Sequence, residues 1–465
     1  MVAEGDRGAK TVAAFADVPA FVRGLRFDRL PDAVVTSAQR SLLDLIGVAA
    51  AGSRTRAAAI ANAYAATQLG GSDRDARILF DGRRAGIAGA AFAGATTIDA
   101  LDAHDGHVLT KGHAGVALLP ALLALIDAAR PGETAAKVDG REFVTCLVLG
   151  YEIATRAGIA LHSTARDYHC SGAWNSLGCA AIAARLLGFD KERTRHALGV
   201  AEYFGPRGQI LRACESPTMV KDGSGWGAHV GVSAALLAGD GFTGAPALTI
   251  ERDDTAPFYV DLGTRWRICE QYFKAYPVCR WAQPAIEAAL DLKRAHGFSE
   301  SQISEIAIES FREAVALGSH CAMPRNTEEA QYSLSFPVAA ALVFGDVGAT
   351  EVDAAGLHDA RVARLVGATT ATEDAEFSDR FPRERWARVR ITLSDGRAFA
   401  SSPARDRGNP DNPLSHDELR AKYRALAAPV LGDERASRIE RAVDSLPLEP
   451  SALSALLDEL LQSGT

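Results

Sequence analysis

Six ionisable side chains crowd one short stretch of this chain: Asp102, His104, Asp105 and His107, then Lys111 and His113. Asp and His are costly to bury unless paired. Their concentration between two apolar, Ala-rich stretches suits a site that moves protons or holds charge. A solvated loop between helices fits the same pattern, since connecting segments are polar. Metal binding is a third reading, because both residue types are good ligands. No HExxH or comparably spaced motif supports that reading.

Further candidates are scattered along the chain. Arg156 follows Glu152 by four residues, and the two could simply pair on one helix face. His169, in Tyr168-His169-Cys170-Ser171, precedes an Ala-rich stretch and fits a structural role taken alone. Lys221 stands in Met219-Val220-Lys221-Asp222-Gly223 and reads, alone, as a surface lysine. Lys274 and Arg280 lie among Tyr272, Phe273, Tyr276 and Trp281. Aromatic surroundings exclude water and strengthen carboxylate binding by a cation. Snorkelling of the long stems is the plainer account.

These residues need a scaffold, and the pattern predicts a mainly helical one. In Pro31–Gly52, Val34, Ala38, Leu42, Leu45, Ile46 and Ala49 recur at helical spacing. The same texture returns in Gly86–Leu101, Val116–Ala129, Phe143–His162, Gly172–Leu187 and Gly227–Leu237. Small residues there let helix axes approach closely. The texture changes near Asp261. Ile306 and Ile308 alternate with Glu305, Ala307 and Glu309, as in a strand. Val389, Ile391 and Leu393 alternate with Arg388, Arg390 and Thr392, and Asp395-Gly396 predicts a hairpin into Arg397–Ser401. Helical stretches sit between, at Trp281–His296 and Tyr332–Phe344. Helix returns after a capping-box pattern at Ser415 and Glu418, and Leu453, Leu456, Leu457 and Leu460 form a last amphipathic stretch. The expected partition is therefore discontinuous. A large all-helical domain uses residues 10–265 and 408–462, and a smaller α+β domain, 266–407, is inserted in it.

Bulk properties narrow the function. The chain has 465 residues, which favours two domains over one core. It is 48% hydrophobic and 23% charged, the composition of a folded globular protein. A net charge of −8 argues against a nucleic-acid partner. Met1–Ala20 has no basic start followed by an apolar run, so it does not read as a secretory signal. Val116–Ala129 is too short to span a bilayer and contains Pro120 and Asp127, so no membrane is expected. Seven dispersed cysteines without a CxxC pair favour a reducing, cytoplasmic setting.

Taken in order, the candidates resemble the MmgE/PrpD superfamily, which includes dehydratases, decarboxylases and an epimerase of small polycarboxylates. The resemblance runs from Leu42-Leu43-Asp44-Leu45-Ile46-Gly47 through Ala90–Gly94 and the Asp102–His113 cluster. It continues through Gly150–Arg156, Tyr168-His169, Lys221, Lys274–Pro277 and Tyr332–Phe336 to Gly408-Asn409-Pro410-Asp411-Asn412-Pro413-Leu414. It implies a large helical domain with a smaller α+β lid, a pocket between them, a homodimer, and no metal or organic cofactor. It also implies that Asp102, His113, His169, Lys221 and Lys274 are catalytic. His104, Arg156, Cys279, Arg280 and Phe336 would line the substrate site.

Some positions depart from the family pattern. The family's Asp-Phe-Asp-Asp-Thr is here Asp102-Ala103-His104-Asp105-Gly106, and its His-Pro-Ser is His113-Ala114-Gly115. Cys279 stands where some members have histidine, and Phe336 where decarboxylases have tyrosine. The expected chemistry is proton movement at a carbon next to a carboxylate, with fixed cations stabilising the enolate-like charge. A cofactor-independent lyase, dehydratase or decarboxylase, on a small di- or tricarboxylate is the first expectation. An epimerase of a similar substrate is the alternative, with a metal-dependent hydrolase or a non-catalytic binding protein behind it.

Overall fold

A computed structural model describes residues 17–70, 74–317 and 323–463. Residues 10–16 of the expected first domain, and Cys321, lie outside the described residues.

The helices of the first part pack as a bundle of small-faced elements. Helix Asp32–Gly52 starts after Pro31, and helices Ile87–Asp99, Gly115–Asp127, Gly140–Thr164, Gly172–Leu186 and Ser224–Gly239 follow. Gly172–Leu186 packs against Gly140–Thr164 on one side and Ser224–Gly239 on the other. The approach is close: a Cβ on Gly178 would lie 2.8 Å from both the Ala154 methyl and the Gly150 carbonyl oxygen. A larger residue at that crossing would drive the axes apart. Gly140–Thr164, with 25 residues, is long and apolar enough by length and composition to cross a membrane. Its apolar window is wholly buried in the bundle. A core helix passes that test for the same reason a membrane span does, because both are apolar all round.

The longest helices to escape the periodicity reading are Arg56–Gln68, Lys191–Phe204 and Asp433–Ser445, and shorter ones such as Val18–Gly24 and Ala360–Gly367 escaped it too. Lys191–Phe204 carries Lys191, Glu192, Arg193 and Arg195 in its first turns and buries only one face, starting from an Asp190 side-chain cap.

The second part is α+β. A five-stranded sheet runs in the order Thr369–Glu373, Ile303–Ser310, Trp386–Leu393, Ala398–Ala400, with Ala404–Arg405 also paired to Trp386–Leu393. Ile306 pairs with Ile391 and Ile308 with Val389, and all four are fully buried. The hairpin at Asp395-Gly396 forms as its sequence predicts. The edge strand Thr369–Glu373, parallel to Ile303–Ser310, is mostly exposed and has no alternation to reveal it. Helices Gln283–His296 and Ser335–Phe344 pack with this sheet region.

Helix His416–Leu431 begins with both reciprocal bonds of the Ser415/Glu418 capping box. It packs on helix Asp32–Gly52, and Tyr423 lies against Gly47. The chain is thus mainly α, with its sheet confined mostly to the segment before the last helices.

Candidate active site

The loop between helices Ile87–Asp99 and Gly115–Asp127 carries the ionisable cluster, and backbone bonds pin it. Gly106 and Tyr272 exchange N–H···O bonds of 3.1 and 2.7 Å. His107 N–H donates to the Gly112 carbonyl at 3.0 Å. Gly106 is required by space, since a Cβ there would lie 2.5 Å from the Tyr272 hydroxyl and 2.7 Å from His113 Nδ1.

Asp102 and Lys274 form a buried ion pair through Asp102 Oδ1. Burial alone would raise the Asp102 pKa, but Lys274, His113 and Lys221 together hold it below the usual carboxylate range. Gln331 ties the pair to its surroundings. Its Oε1 accepts from Asp102 N at 2.8 Å and from Lys221 Nζ at 2.7 Å. Its Nε2 donates to the Ala100 carbonyl at 3.3 Å.

His113 is the other centre. Its Nδ1 lies 2.5 Å from the Asp105 carbonyl oxygen. A carbonyl only accepts, so Nδ1 carries the proton and Nε2 keeps a lone pair. Burial, aided by Lys274, pushes its pKa down to about 3. It is therefore neutral near pH 7. Nε2 faces Asp222 Oδ2 at 4.0 Å. Asp222 is itself buried and held by the Ser171 hydroxyl and the Ser171 N–H. Burial and the neighbouring Asp99 raise its pKa well above the ordinary value, favouring the protonated carboxyl. A neutral imidazole with an open lone pair thus sits beside a carboxyl that can hold a proton.

These groups open into a cavity of about 140 Å³. Asp102, His113, Asp222, Lys274, Cys279 and Arg280 line it, with Lys111 and Arg385 adding positive charge. Tyr168, Tyr272, Trp281, Tyr332 and Phe381 give it aromatic walls. Arg280 lies 3.7 Å over the Tyr272 ring, pairs with Asp406 at 2.5 Å and donates to Asn409 Oδ1 at 2.6 Å. Burial pushes the Cys279 thiol up to about 12, so it stays protonated.

Of the residues expected from sequence, Asp102, His113, Lys274, Cys279 and Arg280 meet at this cavity. Lys221 is buried behind it, 5.2 Å from the Tyr332 ring centre. His104 is fully buried edge-on behind His113, with ring centres 4.2 Å apart, and does not line the cavity. His169 is half-buried beside it, its Nδ1 at 3.3 Å from the Arg207 carbonyl, while its neighbour Tyr168 supplies the wall.

Besides His104, two further expectations for the substrate-site lining are corrected. Arg156 is no substrate ligand: its guanidinium is consumed by Glu152, Asp261 and the Phe258 and Arg265 carbonyls, deep in the helical part. Phe336 is not a cavity wall either. It is fully buried in the first turn of helix Ser335–Phe344, packed toward Gly356, and its N–H donates to the Ser333 hydroxyl.

Sequence reasoning passed over Asp222, Tyr272, Gln331, Tyr332 and Arg385. Asp222 had a signal. It sits between Lys221, at φ 49°, and Gly223, at φ 67°, a turn that two left-handed residues make.

Ligand atoms of Asp102, His104 and His113 lie within 4.8 Å of one another, near enough to hold a metal ion. The charges disfavour one. Asp102 already carries the Lys274 ammonium, and a cation bound there would stand against it.

Sequence models of two domains match the chain: the MmgE/PrpD N-terminal domain over residues 16–261 and the MmgE/PrpD C-terminal domain over residues 276–448. The chain is similar to the cis-aconitate decarboxylase-like protein oryM of Aspergillus oryzae, 27% identical over 80% of this chain and 81% of that one. It is 24% identical to a cis-aconitate decarboxylase of Aspergillus terreus, over 95% and 94% of the two chains. It is 23% identical to the cis-aconitate decarboxylase of Homo sapiens, over 91% and 90%.

Proposed function

Because the chain belongs to the MmgE/PrpD family, we propose that it is a cofactor-independent lyase, a decarboxylase or dehydratase, acting on a small polycarboxylate. One observation carries this reading. Neutral His113 and proton-holding Asp222 stand side by side in a cavity lined by Lys274, Arg280 and Arg385. The relatives named cis-aconitate decarboxylase support the choice of substrate class.

The chemistry follows from the groups. The cations hold the substrate carboxylates and stabilise charge that develops next to them. In a dehydration, His113 Nε2 takes the proton α to a carboxylate and Asp222 returns a proton to the leaving hydroxyl, which departs as water. In a decarboxylation of a β,γ-unsaturated acid, the electrons of the breaking C–CO2 bond form a new double bond to the adjacent alkene carbon, and the old π pair moves to the distant alkene carbon. The distant alkene carbon then takes a proton from Asp222 or through His113, and carbon dioxide leaves. Asp102 keeps Lys274 charged and oriented, and Lys221 holds Gln331 in place.

An epimerase needs proton carriers on opposite faces of one carbon. His113 and Asp222 are neighbours 4.0 Å apart, which supports the lyase. Exposed Tyr203, Phe204 and Trp226 on the helical part support a homodimer as the working form.

Proton NMR in heavy water, with citrate-like hydroxy acids, aconitates and imino- or aminodicarboxylates, tests the proposal. New olefinic signals from a hydroxy acid, or a new product with carbon dioxide release from an aconitate, support it. Exchange of an α-proton without a new compound would replace it with an epimerase. No exchange and no product across the panel would sink both.

A further inference from the structure

Four arginines are buried among the described residues: Arg156, Arg267, Arg280 and Arg385. Arg156 pairs with Glu152 and Asp261, Arg267 with Glu270, and Arg280 with Asp406. Arg385 differs. It is only 4% exposed and lines the cavity, yet among the described residues it has no hydrogen bond or ion pair; its Nε lacks an acceptor, as does that of Arg267, but Arg267 has Glu270 and Arg385 has no such partner. A buried guanidinium without an acceptor is costly, and a bound anion removes the cost. Its surroundings do not serve instead: the Phe381 ring centre is 6.0 Å from its guanidinium carbon. Burial lowers the Arg280 pKa against the pull of Asp406, and Arg385 is near enough to add to that lowering. Both guanidiniums line the same cavity, and like charges gathered there favour an anion. Lys274 and Arg280, at the same cavity, already carry the Asp102 and Asp406 carboxylates, so of the three the uncompensated positive charge is that of Arg385. Arg385 and Phe381 come from the segment 276–448, whereas Asp102, His113 and Asp222 come from 16–261.

We infer that Arg385 is a substrate-anchoring residue that, with Arg280, grips a carboxylate remote from the His113–Asp222 pair and thereby selects tricarboxylates over dicarboxylates. The inference rests on the lyase reading for its substrate class, but a planar fork binding a carboxylate needs no turnover.

The test is binding of two unreactive probes, propane-1,2,3-tricarboxylate and glutarate, to the full chain by calorimetry. Wild type is expected to prefer the tricarboxylate. R385Q should weaken the tricarboxylate by roughly tenfold or more and leave glutarate within about twofold, with R385K recovering part of the loss. An unchanged preference in R385Q, or equal loss for both probes, overturns the inference. Should R385Q not fold, wild-type crystals soaked with the tricarboxylate decide: a carboxylate within hydrogen-bond reach of Arg385 supports the assignment, and a pose that leaves Arg385 without one overturns it. The two readings fail separately. Unchanged binding and turnover in R385Q would remove the anchor and leave the lyase. Lost selectivity in R385Q, with no turnover by wild type, would keep the anchor and remove the lyase.

Discussion

His113 Nε2 faces Asp222 Oδ2 across 4.0 Å, with Nδ1 already committed to the Asp105 carbonyl. The tautomer is set by backbone, so the lone pair is presented to the cavity before any substrate arrives.

That setting has a consequence for pH. An ordinary histidine titrates near 6.5, and burial brings His113 to about 3. Between these values the unfolded chain binds a proton that the folded chain refuses. Stability from this group is therefore present above about 6.5 and lost as pH falls toward 3, by up to about 1.4 kcal/mol per pH unit. His113→Gln removes the penalty. Urea midpoints measured from about pH 7 to about pH 4 should fall more steeply for wild type than for the variant. Parallel slopes would show that His113 is not the group refusing the proton.

Asp102→Asn leaves Lys274 buried with an amide in place of its counter-charge. Breaking a buried pair from one side costs about 3–5 kcal/mol. A lowered thermal midpoint and a kcat/KM reduced at least about 100-fold are expected. Near-normal turnover would mean that the ion pair plays no part in the reaction.

Gly106→Ala adds one methyl group, 2.5 Å from the Tyr272 hydroxyl and 2.7 Å from His113 Nδ1. Something must move, and both neighbours belong to the site. Overpacking of this kind costs about 1–3 kcal/mol. Turnover should fall more than stability predicts, because a small misplacement of the proton acceptor is amplified in rate. Chemical denaturation and steady-state kinetics on the same preparation measure both sides of that comparison.

Arg156→Met should behave in the opposite way. Removing the guanidinium strands Glu152, which is fully buried and already raised to about 7, chiefly by burial. The variant is expected to lose about 3–5 kcal/mol of stability while the protein that remains folded keeps its KM. A large rise in KM at unchanged stability would return Arg156 to the substrate.

Helices were the most readable part of the sequence, because a burial stripe repeats every turn and Ser415 with Glu418 announces a start. The strands Ile303–Ser310 and Trp386–Leu393 were readable for the same reason at period two. Thr369–Glu373 was not, since an edge strand with mostly exposed residues carries no alternation. At the site, crowding singled out Asp102 and His113. Arg385 and Gln331 are isolated in sequence, and Gln331 meets Asp102 from 229 residues away. Arg156 misled because its obvious local partner, Glu152, hides three others: the Phe258 carbonyl, Asp261 and the Arg265 carbonyl, 102, 105 and 109 residues on. Long-range pairing leaves no local pattern to read.

Lys422, on helix His416–Leu431, reaches down to donate to Asp44 at 2.6 Å and to the Ala103 carbonyl at 2.7 Å, between Asp102 and His104. Asp44 and Ala103 are buried, so the link closes over them. Lysine and loop are 319 residues apart. During synthesis the loop therefore leaves the ribosome long before its brace exists. The loop's residues are made well before the brace that sets their backbone, and a nascent chain that has not yet reached Lys422 carries them without that clamp.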